Sequence, residues 1–236
     1  MNSKNLLIKG LALAIIIAFL SSCNLISKNK SDNIILFNGE NLEGWKGDVN
    51  VWSVEDGCIV GKNTDEYKLK QNTFLIHKNE FSNFELKFQY KIIGGNSGVQ
   101  YRAKVLDEDL FVVGGYQADM EAGNNYSGIL YEEKGRGIIA NRGEQVTVLE
   151  NGEKEVKTFT TSKAIQSKIY NEAWNDYKIV ANGNHLQHFI NDIKTIDVID
   201  KEVGANSNSG VIALQVHTGP NMKVYYKNLE IKIIRH

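Results

Sequence analysis

The chain has 236 residues, 42% hydrophobic and 23% charged, and its 27 basic and 28 acidic side chains leave a formal net charge of −1. That balance suits an ordinary globular domain. With no basic run and no stripe of arginine and aromatic residues, it excludes an electrostatic nucleic-acid partner.

At the N-terminus, Lys4 and Lys9 flank a short polar start, an apolar run covers 11–20, and Ser21-Ser22-Cys23 follows. Charge, apolar core and small residues in that order predict an export signal over residues 1–22. The run is about half of the ~20 residues a spanning helix needs. Leu20 followed by two small residues and then Cys23 predicts cleavage before the cysteine and lipid on its thiol. The competing reading is a plain secretory signal. The expected product is a membrane-anchored lipoprotein, periplasmic or on the cell surface, with acyl chains holding it without spanning. The polar, Lys-rich stretch from the lipidated Cys23 to residue 32 reads as a tether, and 33–236 as one domain. Cys58 is then the only remaining thiol, so no internal disulfide is expected and the core alone must stabilise the fold.

Alternating or β-branched apolar segments separated by Gly, Asn and Asp predict strands at 34–37, 52–55, 58–61, 73–77, 84–93, 98–103, 115–121, 128–131, 146–150, 155–161, 174–181, 185–190, 194–199, 210–216 and 224–234. Asn182-Gly183-Asn184 and Asn191-Asp192 carry hairpin chemistry, because these residues tolerate positive φ. Only 162–172 has a helical pattern. So many short strands indicate an all-β sandwich or barrel.

Residues 96–142 differ from the rest, with Gly, Tyr, Asn and charged residues at strand positions that should be half buried. Polar groups on a sheet face cost free energy unless they are paired or bind something. Period-two alternation puts Gln100 and Arg102 on one face, and Gln117, Asp119 and Glu121 together on another. Meeting across one sheet, they would offer sugar hydroxyls both donors and acceptors. The alternative is a solvent-facing surface with Asp119 and Arg102 as an exposed ion pair. Neighbouring glycines allow close approach of a ligand or another backbone. Near the C-terminus Gln215 and His217 share a strand face, and His217 is the histidine suited to proton transfer. His185 and His188 read as surface residues. No histidine or cysteine spacing indicates zinc, though Asp119 and Glu121 could hold a divalent cation.

The string 117–121 resembles the catalytic strand of laminarinase-type β-glucanases, where carboxylates alternate on one face. Retaining hydrolysis needs two carboxyl groups about 5 Å apart. Gln117 occupies the first of these positions and cannot be the nucleophile.

Together, Leu36-Phe37-Asn38-Gly39, Asn96-Ser97-Gly98 with Arg102, Gly115-Tyr116-Gln117-Ala118-Asp119-Met120, Gly128-Ile129-Leu130-Tyr131-Glu132-Glu133, Gly135-Arg136-Gly137, Trp174-Asn175, and Leu214-Gln215-Val216-His217 with Tyr226-Lys227-Asn228-Leu229 resemble the 3-keto-disaccharide hydrolase domain family. The resemblance runs from about residue 34 to the end. It implies a concanavalin A-like jelly-roll β-sandwich of two antiparallel sheets that binds sugar on a concave face, and a substrate already oxidised at C3 by an upstream sugar 3-oxidase. It also implies proton abstraction at C2, loss of the aglycone from C1 and rehydration, with no glycosyl-enzyme bond. On that reading His217 or Asp119 is the base, Arg102 or a bound cation polarises the ketone, and Glu132 or Tyr131 assists the leaving group. Gln100, Gln117, Glu121, Arg142 and Gln215 would hold the sugar. A non-catalytic carbohydrate-binding lipoprotein is the alternative, and an ordinary retaining β-glucanase a less favoured one.

Overall fold

A computed structural model describes residues 33–235. The signal segment, Cys23 and the tether up to residue 32 lie outside the described residues. In chain order the elements are β1 (Asn33–Ile35), β2 (Trp45–Lys46), β3 (Trp52–Glu55), β4 (Cys58–Asn63), β5 (Thr73–Phe81), β6 (Phe84–Ile93), β7 (Asn96–Asp107), β8 (Val112–Glu121), β9 (Leu130–Glu133), β10 (Gly137–Ala140), β11 (Glu144–Val148) and β12 (Lys154–Thr158). After these come the single short helix α1 (Ser162–Gln166), then β13 (Asn175–Asn182), β14 (His185–Ile190), β15 (Ile193–Asp200), β16 (Gly210–Val216) and β17 (Met222–Ile233).

These form a concanavalin A-like jelly-roll sandwich of a 10-stranded sheet, β12-β11-β15-β14-β13-β6-β17-β4-β3 with β1 on β17, and a 7-stranded sheet, β10-β9-β8-β7-β16-β5-β2. The pairing is antiparallel except between β11 and β15, which run parallel, Glu144 opposite Ile196. The expected hairpin chemistry is realised: Asn191 and Asp192 both have positive φ, 49° and 63°, between β14 and β15, and Gly183 has φ 55° between β13 and β14.

Alternation sets the core. Phe84, Leu86, Phe88, Tyr90 and Ile92 of β6 point inward, opposed by Tyr116, Ala118 and Met120 of β8 and by Val99 and Tyr101 of β7. Each of the larger apolar side chains among them contributes roughly 1.5–3 kcal/mol through burial. His188 is part of this core and not of the surface. Its ring lies between the Tyr101 hydroxyl, 3.0 Å from Nε2, and the Tyr177 hydroxyl, 3.3 Å from Nδ1. Burial pushes its pKa down to about 3, so it stays neutral. His185 is half-buried and pairs with Asp197 at 2.8 Å.

Strand alternation fails at Arg102, which adopts φ 48° at a shift in the β7–β8 register. Glycines flank the kink on both neighbouring strands. A Cβ on Gly210 would lie 2.4 Å from the Ala103 carbonyl oxygen, and one on Gly115 would lie 2.8 Å from the Ala103 Cα. Here glycine admits another backbone and not a ligand. The kink turns the Arg102 side chain, 1% exposed, to one end of the sandwich. There it donates to the carbonyls of Ser82 (2.7 Å), Gly183 (2.6 Å) and Ser207 (3.1 Å) and to Asn83 Oδ1 (3.1 Å). It forms no ion pair with Asp119 and is not available to polarise a ketone.

Arg102 is therefore a clamp on three loops, surrounded by neutral acceptors. Removing it orphans several of them at once, and an unpaired buried polar group costs about 1–3 kcal/mol. Arg102→Met should lower the unfolding free energy by about 3 kcal/mol, read as a lower urea midpoint at unchanged m-value.

Candidate active site

The outer face of the 7-stranded sheet carries a cleft of ≈ 690 Å³. Because Tyr116, Ala118 and Met120 fill the core, Gln117, Asp119 and Glu121 share the opposite face of β8, as the alternation predicted, and all three line the cleft. Adjoining strands supply Tyr131 and Glu133 from β9, Asn96 from β7 and Gln215 from β16. His217 follows β16, and Asn72 precedes β5.

Asp119 is 6% exposed at the floor. Burial pushes its carboxyl up to about 7, and the charges of Glu133 and Glu121 add to the push, while hydrogen bonds from Gln117 and Asn96 pull it back. Gln117 Nε2 donates to Asp119 Oδ1, and Gln117 Oε1 accepts from Gln100 Nε2 at 2.6 Å. The second carboxylate, Glu133, accepts from Asn72 Nδ2 and Gln215 Nε2, each at 3.3 Å. Tyr131 is held protonated above its ordinary range by burial and by the Glu133 and Asp119 charges, so it faces the cleft as a hydroxyl donor.

His217 Nδ1 contacts the Thr218 carbonyl oxygen. A carbonyl only accepts, so Nδ1 donates here and Nε2 is left for a ligand. Thr218 is anchored in turn, its N–H donating to Asn72 Oδ1 at 3.1 Å and its hydroxyl to the Leu69 carbonyl at 2.9 Å. Asn72 thereby links the His217 segment to Glu133.

Four expected site residues have other work. Arg102 clamps loops, as described. Glu132 points away from the cleft and joins Arg136 at 2.6 Å. Arg136 also binds Asp200 (2.7 Å) and Glu202 (2.8 Å), while the Tyr116 hydroxyl donates to Asp200 at 2.6 Å, tying the two sheets together. Arg142 is buried, bonded to the Asn124 carbonyl (2.6 Å), Ser162 Oγ (2.8 Å) and Gln166 Oε1 (2.5 Å), so it fastens the β8–β9 loop to α1. Gln100 is fully buried beneath the cleft and does not line it. Glu121 does line it, but its Oε1 accepts the backbone amides of Asn125 and of Tyr126, the latter at 2.7 Å, and so caps the rim loop.

Glu133, Asn72 and Asn96 are among the lining residues to which the sequence assigns no site role. For Glu133 the signal was present: alternation along 130–133 groups it with Tyr131 and sends Glu132 to the other face. Among the described residues no Lys or Arg lines the cleft. Among the described residues no group of three or more His, Cys, Asp or Glu side chains is arranged to hold a metal ion. The three cleft carboxylates, Asp119, Glu121 and Glu133, already accept hydrogen bonds from side-chain or backbone amides.

Residues 32–232 match the 3-keto-alpha-glucoside-1,2-lyase-like domain. The chain belongs to that family. Family membership gives the domain a carbohydrate-related function. No curated protein sequence matches it. Among solved structures it is similar to a provisionally assigned glycosyl hydrolase from Parabacteroides distasonis, with 24% identity, 90% of this chain and 99% of that one covered, and a TM-score of 0.55. A second such protein from the same organism has 18% identity, 86% and 99% coverage and a TM-score of 0.56. A Bacillus subtilis protein with a galectin-like fold has 9% identity, 82% and 91% coverage and a TM-score of 0.53. These likenesses are of fold.

The burial of Asp119 has a measurable linkage. Folded, it holds a proton up to about pH 7; unfolded, only to its ordinary value of 3.8. Between these the folded state binds the extra proton, so stability falls as pH rises from about 4 to 7, by an amount on the order of 4 kcal/mol at most. Asp119→Asn should flatten this fall and be more stable than wild type at pH 8, as urea unfolding across that range would record. A variant with the wild-type slope would place the titration elsewhere.

Proposed function

We propose that the cleft cleaves glycosides already carrying a ketone at C3, by proton abstraction and elimination. The observation that carries this reading is the buried Asp119 carboxyl, brought to about 7 beside the Gln117 amide. It is a proton-transfer group poised near neutral pH, and the residue two places before it cannot act as a nucleophile. The ketone makes the C2 hydrogen acidic. Asp119 takes that proton, the electron pair forms the C1–C2 double bond, and the aglycone oxygen leaves C1 with a proton from Tyr131 or His217. Water then adds hydroxide to C1 and a proton to C2, so the net result is hydrolysis to a 3-keto-sugar. Neutral donors, the amides of Asn72 and Asn96 and the Tyr131 hydroxyl, are the cleft groups able to stabilise the enolate oxygen.

The absence of cationic lining residues suits a neutral sugar, since a uronate or phosphate would meet only Asp119, Glu121 and Glu133. Tyr126, Ile129 and Ile138 form an apolar wall on the β9 side, fitted to the aglycone or to a sugar ring face. An oxidation at C3 must supply the substrate. Lipid on Cys23 would keep the product close to the membrane.

Glu133 restores a second carboxyl to the cleft, and this favours one competitor: direct hydrolysis of an unoxidised glycoside. Aglycone release from a 3-keto-glucoside and from the matching glucoside, run side by side in deuterated water, separates the readings. The proposal expects cleavage of the keto-glycoside alone, deuterium at C2 of the product, a rate rising with pH through about 7, and a loss of roughly 10²–10⁴-fold in Asp119→Asn. Cleavage of the plain glucoside without deuterium incorporation would support the carboxyl pair. Sugar binding with no turnover of either compound would leave a binding protein. Separately, Cys23→Ser should move the protein from the membrane to the soluble fraction and abolish labelling by a fatty-acid analogue.

A further inference from the structure

Gln100 and Gln117 face each other directly across the β7–β8 ladder, on the outer side of the sheet. Gln117 lines the cleft, whereas Gln100 lies sealed beneath it with no exposed surface. The buried amide makes one side-chain hydrogen bond, from Nε2 to Gln117 Oε1, and its own Oε1 has no partner. An unpaired buried acceptor costs stability that an apolar side chain of similar size would not. Packing therefore gives no reason for a glutamine at this position.

The reason lies in the neighbour. A glutamine amide can be turned over with almost no change of shape, exchanging its donor and acceptor ends. One orientation gives Asp119 an N–H; the other presents an oxygen, which an ionised carboxylate repels. In the structure Gln100 Nε2 donates from behind to Gln117 Oε1, and with that end of the amide engaged Gln117 Nε2 is turned toward Asp119. Gly98, opposite Asp119 in the same ladder, leaves the space in which the Gln117 side chain lies. A Cβ there would be 2.6 Å from Gln117 Cγ and Cδ.

We propose that Gln100 is a positioning residue for proton transfer, locking the Gln117 amide with its N–H toward Asp119. The inference rests on Asp119 as the proton-transfer group. The Gln117 hydrogen bond is the largest influence drawing Asp119 back toward the ordinary carboxylate range against burial. The other titratable groups in the cleft with Asp119 are Glu133 and Tyr131 of β9, Glu121 of its own strand, Tyr126 of the β8–β9 loop and His217 beyond β16, while β7 presents neutral Asn96, Gly98 and Gln100. Asn96 supplies the other side-chain hydrogen bond to Asp119, with a smaller influence than that of Gln117.

The test is a ¹³C-carboxyl NMR titration of Asp119 in wild type, Gln100→Leu, Gln117→Leu and the double variant, with urea unfolding of each. Gln100→Leu should be as stable as wild type or more so, yet titrate Asp119 about one pH unit higher, the loss expected for a hydrogen bond to a charged group. Gln117→Leu should shift it at least as far. The double variant should match Gln117→Leu alone, because Gln100 acts only through Gln117. An unchanged Asp119 titration in Gln100→Leu, or additive shifts in the double variant, would overturn the proposal. Failure of both Gln100→Leu and Gln100→Met to fold would overturn it as well, by making Gln100 structural. The titration requires no substrate, so a protein that turned over no keto-glycoside would lose the proposed reaction and still give a clear result here.

Discussion

Everything in the cleft depends on how β8 divides its side chains. Tyr116, Ala118 and Met120 are drawn into the core between the sheets, and the two-residue period then obliges Gln117, Asp119 and Glu121 to share the outer face. Strands β7 and β9 flank β8 in the same sheet, and the Asp119 carboxylate held among their side chains has lost most of its water. It can persist only by keeping its proton to higher pH or by gaining donors. Asp119 does both, and the two effects in opposition leave it close to neutral pH.

Such a site opposes folding, so the surrounding structure has to offset it. The three polar centres outside the cleft serve that need. Arg102 gathers the ends of three loops at one end of the sandwich. The Arg136 cluster joins Tyr116 on one sheet to Asp200 on the other. Arg142 holds the rim loop to α1. Arg102 and Arg142 are buried and Arg136 is partly so, each with its donors spent on fixed acceptors, which suits the planar fork of arginine. Three arginines in a polar stretch of sequence look like ligands for an anionic or ketonic group. Here Arg102, Arg136 and Arg142 are the frame around a cleft that has no cation of its own.

This explains where sequence reasoning reached and where it stopped. The sandwich, nearly all its strands and the shared face of Gln117, Asp119 and Glu121 follow from period-two alternation, which is local. Gln215 and His217 follow for the same reason. Arg102 was misplaced because a positive-φ kink interrupts the alternation, and only Gly115 and Gly210, distant in sequence, make room for it. Glu132 was preferred to Glu133 although the same period would have chosen correctly. His188 was read as a surface residue because its partners, Tyr101 and Tyr177, lie on other strands. β2, with two residues, carries no period to read. Asn72 could not have been found, since it enters the site through a loop hydrogen-bonded to Thr218.

The lack of a cation in the cleft also bears on which chemistry the proposed reading allows. A carbanion formed at C2 of an ordinary sugar would have no carbonyl to receive its charge, and amide and phenol donors are weaker partners for a full negative charge than a guanidinium. A ketone beside the reacting carbon changes the balance, because the substrate itself delocalises the charge onto oxygen. Tyr131, Asn72 and Asn96 then need only hold that oxygen while a base of near-neutral pKa removes the proton. Glu133 limits how much cation-free help is possible, since its charge repels the developing enolate as it repels ionised Asp119. On this reading the cleft depends on the oxidation that precedes it: the activation its own residues lack is carried in by the substrate.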